Sequence, residues 1–175
     1  MMTQSGSPPG CRRKANMGNI PESTTFTISI PADNDGYVLM KCPQCGELFR
    51  LKARDIHDEG VLNIHCPACG FASYSASDFT TDDVKKYAET VASNYAGELV
   101  NSMMKDLETS LKSNKFVKVK STSIIKEETP TPIRSVIDTL KPSCCSYCGK
   151  YSKIRPLLRD SAYTCPLCGV KNFGL

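Results

Sequence analysis

The chain has 175 residues, 40% of them hydrophobic and 23% charged, with no tryptophan and only 7% aromatics. These are globular proportions, but too lean in large apolar side chains for one sizeable core, so small modules here need some other source of stability. The formal net charge of +4 is too small to argue for a polyanionic partner, and no stretch approaches the ~20 consecutive apolar residues of a membrane helix.

Ten cysteines are the candidate source of stability. The first twenty residues are polar and carry Arg12, Arg13 and Lys14 with no apolar run behind them. A reducing, cytoplasmic setting is therefore expected, with no membrane partner, and there paired cysteines bind metal rather than each other. Residues 1–22, rich in Ser, Pro, Gly and basic side chains, read as a disordered tail, with Cys11 a free thiol. From Thr24 to Ile30, Phe26, Ile28 and Ile30 alternate with Thr and Ser, a strand pattern. Asp33-Asn34-Asp35-Gly36 marks a turn, and Tyr37–Met40 reads as a strand entering the first cysteine pair.

Cys42-Pro43-Gln44-Cys45-Gly46 and Cys66-Pro67-Ala68-Cys69-Gly70 repeat one C-P-x-C-G pattern 20 residues apart. Cys145-Ser146-Tyr147-Cys148-Gly149 and Cys165-Pro166-Leu167-Cys168-Gly169 form a second set 16 residues apart. Ten cysteines shuffled through this length would give roughly half of one C-x-x-C pair, and the chain has four. Two intervening residues let a tight turn aim both sulfurs at one ion, and a glycine after the second cysteine can take φ > 0 to close that turn. Two such knuckles gripping one ion make a four-cysteine zinc ribbon. The expected cofactor is Zn²⁺, two ions, held by Cys42, Cys45, Cys66 and Cys69 and by Cys145, Cys148, Cys165 and Cys168. Cys144 could replace Cys145, but Cys145 keeps the spacing of the other knuckles and is preferred. Rubredoxin-like iron and redox-switched thiols use similar knuckles and stay as alternatives. His57 and His65 read as surface or supporting residues rather than ligands. Glu47–Lys52, Val61–His65 and Ala162–Thr164 read as short flanking strands.

Both knuckle pairs resemble the ribbons of the transcription-factor-IIB type, which also occur in replication-restart helicases and RNA polymerase subunits. The layout of strand, D-x-D-G turn, ribbon, long helix and degenerate second ribbon is similar to small bacterial double-ribbon proteins. That resemblance implies a fold and a metal, not an activity.

Between the ribbons, Thr80-Thr81-Asp82-Asp83 begins a helix running to about Lys112, with Thr80 as its expected cap. Its apolar positions, Val84, Ala88, Val91, Tyr95, Leu99, Met103, Leu107 and Leu111, step mostly by four. The stripe drifts by about half a turn along the helix. The first half is expected to pack on ribbon 1, and the second half on ribbon 2 or on another copy of the chain. Phe116–Lys120 alternates like an exposed strand, Lys126–Pro132 reads as linker, and Ile133, Val136, Ile137 and Leu140 suit a short amphipathic helix. The expected layout is a small α+β protein of two four-cysteine ribbons joined by a long helix and a linker: tail 1–22, strand and ribbon 23–76, helix 77–113, linker 114–142 and second ribbon 143–175.

Residues 41–76 carry four bases and four acids, whereas residues 141–175 carry six bases against Asp160 alone. Eight metal-bound thiolates would lower the total by four, given two divalent ions, so distribution rather than net charge is informative. Lys150, Tyr151, Lys153, Arg155, Arg159 and Lys171 are the candidate surface for nucleic acid, with Tyr147, Tyr163 and Phe173 among them for stacking. A protein complex is the other candidate partner, with self-association through residues 95–111. No phosphate-binding glycine loop, H-E-x-x-H or nucleophile–base pair stands out, so a non-enzymatic adaptor is expected.

Overall fold

A computed structural model describes residues 24–112, 125–133 and 139–174. Each ribbon repeats one plan of hairpin, short helix and second hairpin. In the first, β1 (Tyr37–Lys41) pairs antiparallel with β2 (Leu48–Lys52), α1 (Ala53–Ile56) follows, and β3 (Ile64–His65) pairs with β4 (Ala72–Ser73). The 30-residue helix α2 (Asp82–Leu111) then intervenes. In the second, β5 (Lys141–Cys144) pairs with β6 (Tyr151–Ile154), α3 (Pro156–Asp160) follows, and β7 (Ala162–Thr164) pairs with β8 (Lys171–Phe173).

The two ribbons are not strung out along a linker. Strands β2 and β6 pair antiparallel, giving one four-stranded sheet in the order β1-β2-β6-β5. Alternation along β1, β2 and β6 puts Met40, Phe49, Leu51 and Ile154 on one face, where they join Ile64, Phe79, Tyr163, Leu167 and four of the cysteines in a single core. Phe49, Leu51, Ile154 and Phe79 are fully buried, and the Phe49 and Phe79 rings meet edge-to-face at 5.6 Å. Neither ribbon alone holds this set, so each supplies apolar cover that the other lacks.

The opposite face carries a largely buried cluster of charges. Arg50 on β2 stands directly across from Lys153 on β6, and both reach one carboxylate of Asp33, at 2.6 and 2.8 Å. Lys153 also meets Asp35 at 2.7 Å and lies 4.5 Å from the centroid of the Tyr37 ring. The Asp33–Gly36 turn is formed as expected, with Gly36 at φ +80°. Asp33 accepts the backbone N–H of Asp35 and of Tyr37. Burial pushes the Asp33 carboxyl up, but Lys153, the Tyr37 amide and Arg50 outweigh it and hold the group well below the usual carboxylate range.

Several elements differ from expectation. Residues 24–30 form no strand; only Ala32 bridges to Val38. Their alternation finds no ladder partner, and Phe26 instead stands edge-on to Tyr95 of α2 at 5.3 Å. Thr81, not Thr80, stands at the N-cap position of helix α2 and its side chain makes no capping hydrogen bond; Thr80 instead closes the preceding 3-10 turn, Ala76–Phe79, by donating its hydroxyl to Ser77 O. Strand β3 is shorter than expected, starting at Ile64. The start of α2 does pack on ribbon 1, where Val84 is buried. Along its middle and second half, residues 125–128 of the same chain lie against it. The tail 1–22, the strand at Phe116–Lys120 and most of the helix over 133–140 lie outside the described residues.

Removing Asp33 leaves two cations facing each other with little access to water. Asp33→Ala is expected to destabilise the metal-loaded chain by about 3 kcal/mol in urea unfolding at neutral pH, the low end of the buried-pair range because Asp35 still reaches Lys153. The folded pKa lies below the unfolded one. The wild-type advantage should therefore be complete above pH ~4 and disappear as acid protonates Asp33, while the variant shows no such component.

Candidate metal centres

Each knuckle is built by the same backbone contacts. The glycine N–H donates to the first cysteine's carbonyl: Gly46 to Cys42 and Gly70 to Cys66 at 3.0 Å, Gly149 to Cys145 and Gly169 to Cys165 at 2.9 Å. All four glycines have φ between 68° and 74°, a region closed to most side chains, which is why the fifth position of each motif is glycine. The first cysteine's own N–H returns to the hairpin, to Glu47, Phe71, Lys150 and Val170 O respectively. Turn and strand ladder therefore fix the direction of both sulfurs.

The eight knuckle cysteines gather into two sets whose Sγ atoms all lie within 4.8 Å of one another. Across the knuckles, Cys42–Cys69 is 3.7 Å and Cys45–Cys66 3.5 Å; Cys145–Cys168 and Cys148–Cys165 are both 3.7 Å. Four thiolates around one ion at ~2.3 Å in a tetrahedron stand about 3.8 Å apart, so both sets fit one such ion. Cys42, Cys66, Cys145 and Cys165 are buried and their partners lie nearer the surface. Burial pushes the thiols of Cys66 and Cys165 well above their ordinary range, and neighbouring sulfurs push the same way. Four thiolates cannot crowd together unaided, and a divalent cation supplies the missing charge. Cys145 goes the other way. Burial pushes it up, but the amides of Cys148 and Tyr147 and the side chain of Asn172 bring it down to about 6.

Asn172 escaped the sequence reading. It is buried on β8, its amide donates to Cys145 Sγ at 3.4 Å, and its Oδ1 accepts the Ser146 N–H at 3.0 Å. It thus orients one cysteine and its turn from another hairpin, a role with no spacing signature. Cys144 lies outside the set, exposed, its sulfur 3.6 Å from Gly149 O; Cys145 belongs to the four-sulfur cluster. His65 precedes Cys66 and lays its ring over Gly169, where an added Cβ would stand 2.8 Å from Nε2. His57 caps the end of α1.

The two sets are joined by reciprocal backbone bonds. His65 N–H donates to Pro166 O at 2.9 Å, and Thr164 N–H donates to Pro67 O at 3.0 Å. Each donor lies at the start of a buried cysteine's knuckle, and each acceptor belongs to the other ribbon's knuckle. Movement of one knuckle is therefore felt directly by the other.

Three of the six basic side chains of ribbon 2 face ribbon 1. Lys150 pairs with Asp58 at 2.8 Å, Lys153 with Asp33 and Asp35, and Arg155 with the buried carboxylate of Glu47 through both Nε and Nη2. Arg159 pairs with its neighbour Asp160 at 2.7 Å. Lys171 is exposed, and so are Tyr147, Tyr151 and Phe173. Tyr163 is buried instead, its hydroxyl donating to Cys144 O and accepting from Ser143.

Fold and sites together define a double-ribbon protein with two four-cysteine sets, each able to hold a metal ion, joined by a long helix. No family model, curated protein or solved structure matches the chain. No helix among the described residues is long and apolar enough to cross a membrane.

Two outcomes follow for metal binding. Asn172→Ala should weaken Zn²⁺ at the second set by about 10- to 100-fold while leaving the first within a few-fold, measured by competition with a chromophoric chelator. Cys165→Ser should abolish the second site and also weaken the first, because the Pro67 and Pro166 bonds couple them. Unchanged affinity at the first site would show that the sites are independent.

Proposed function

We propose that the chain is a non-catalytic, zinc-held adaptor that presents helix α2 to a protein partner. Zinc is the assigned ion because an all-thiolate tetrahedral set is its preferred structural site. Four protein ligands also leave no coordination position for water or substrate, which supports a structural role. The observation that carries the adaptor reading is a contrast in how two surfaces are used. Lys150, Lys153 and Arg155, the centre of ribbon 2's positive charge, are engaged by acids of ribbon 1. On α2, Val100, Met103 and Leu107 remain exposed on adjoining turns, a row spaced for burial against another surface.

The tagged 175-residue chain, recovered from its own cells, should elute in an assembly larger than its 19.2 kDa mass. Leu107→Glu should return it to that mass with two zinc ions still bound. Elution at the mass of a single chain, or an assembly indifferent to Leu107→Glu, would sink the reading.

A second reading, nucleic-acid contact, is supported by exposed Tyr147 and Phe173 with Lys171 and Lys141, neither lysine being in an ion pair among the described residues. It requires a gel shift at low salt that Lys141→Ala with Lys171→Ala removes.

A further inference from the structure

Helix α2 holds a stretch of extended backbone in an unusual way. Asn101 donates from Nδ2 to Ile125 O at 2.9 Å and accepts the Ile125 N–H on Oδ1 at 3.1 Å. Asn94 repeats the pair on Glu128, donating to its carbonyl at 2.8 Å and accepting its N–H at 2.9 Å. Each asparagine amide thus closes a ring with both backbone groups of one residue, leaving that residue's side chain unread.

The spacing is matched. Seven residues of helix advance about 10.5 Å, and three residues of extended chain about 10 Å. Gly97 lies between the asparagines on the same face and is buried. A Cβ there would stand 2.8 Å from Ile125 Cγ2, so the glycine is the hollow that admits Ile125. Ile125 touches the Gly97 backbone along one edge and is otherwise exposed, at 47%, as are Lys126, Glu127 and Glu128. Asn94, Gly97 and Asn101 therefore form a groove that reads peptide backbone at two points and one aliphatic side chain between them.

We propose that this groove is a binding site for an extended peptide segment of a partner protein, and that residues 125–128 occupy it as an internal competitor. The proposal rests on the reading of α2 as the partner-docking helix and names what that helix recognises: an unpaired extended backbone with one aliphatic residue over Gly97. The internal occupant defines the ligand chemistry. Backbone-directed hydrogen bonds to this segment are equally available to any chain of the same conformation, and the exposed side chains impose little further selection. Because the internal segment fills the groove, a partner's apparent affinity is reduced by the fraction of time the groove is open.

The test uses the zinc-loaded 175-residue chain and a peptide with the sequence of residues 124–133, IIKEETPTPI, fluorescein-labelled at its N-terminus so that the nitrogen matching Ile125 is a peptide amide, read by fluorescence anisotropy. Ile125→Ser loosens the internal segment and should raise probe affinity at least tenfold over wild type. Adding Asn94→Ala and Asn101→Ala should reverse the gain by at least tenfold. A probe N-methylated at the residues matching Ile125 and Glu128 loses both N–H donors and should bind at least tenfold more weakly than the parent, a comparison that leaves the protein untouched. Equal binding of the methylated probe would overturn the proposal, as would an Ile125→Ser chain that binds no tighter than wild type. Concentration-dependent dimers of wild type that Asn94→Ala with Asn101→Ala abolishes would assign the groove to a second copy of the chain and overturn the partner assignment. Leu107 lies outside the groove, so Leu107→Glu should leave probe binding unchanged. The adaptor reading and the groove can thus fail separately.

Discussion

Arg50 and Lys153 face each other across the β2–β6 seam, an arrangement that would push the strands apart if the two cations were alone. The Asp33 carboxylate between them turns repulsion into a bridge, and the bridge joins three separate stretches of chain. Everything else about the body follows from that seam. With β2 and β6 paired, the inner faces of the two hairpins become one surface, and Phe49, Leu51 and Ile154 can be fully buried in a shared core. Without it, each ribbon is a pair of short hairpins, too small to exclude water from its own sulfurs.

Two metal sets then act on a single body rather than on two beads. The reciprocal bonds from His65 to Pro166 and from Thr164 to Pro67 place a peptide group of one knuckle against the strand that orients the other. The asymmetry in charge has the same origin. Ribbon 2 carries Lys150, Lys153 and Arg155; the acids that answer them, Asp58, Asp33, Asp35 and Glu47, belong to ribbon 1 and its leading turn. Opposite charge across the seam selects this docking over pairing of like ribbons, a constraint on register as well as a contribution to stability.

The knuckles were legible in the sequence because they are local: cysteine spacing and the following glycine encode sulfur direction and positive φ within five residues. The Asp33–Gly36 turn, β1, β2, β7 and the extent of α2 were legible for the same reason. The seam was not. Its two registered pairs, Arg50 with Lys153 and Leu51 with Ser152, lie about a hundred residues apart in the chain, and no periodicity carries that information. The excess of bases over Asp160 in residues 141–175 is visible, but whether it faces a partner or the chain's own acids is decided by tertiary placement. Asn172, Asn94 and Asn101 were missed for a related reason: a polar side chain is defined by what it meets, and the partners of all three are remote. The alternation over Thr24–Ile30 misled because a strand needs a neighbour as well as a pattern.

The two ends of α2 are held by different physics. Its start is fixed by burial, with Val84 inside and Thr81 covered. From Asn94 to Asn101 the helix is held to residues 125–128 by four exposed amide–backbone hydrogen bonds and one isoleucine, with Phe26 edge-on to Tyr95. Exposed hydrogen bonds contribute on the order of 1 kcal/mol each before the entropy of ordering the segment is subtracted. A helix anchored by a buried core at one end and by exchangeable hydrogen bonds at the other has its local stability graded along its length. The rigid end fixes where the helix points. The lightly held end can give up its own segment without disturbing either metal set, which allows contact to be exchanged on a body that stays folded.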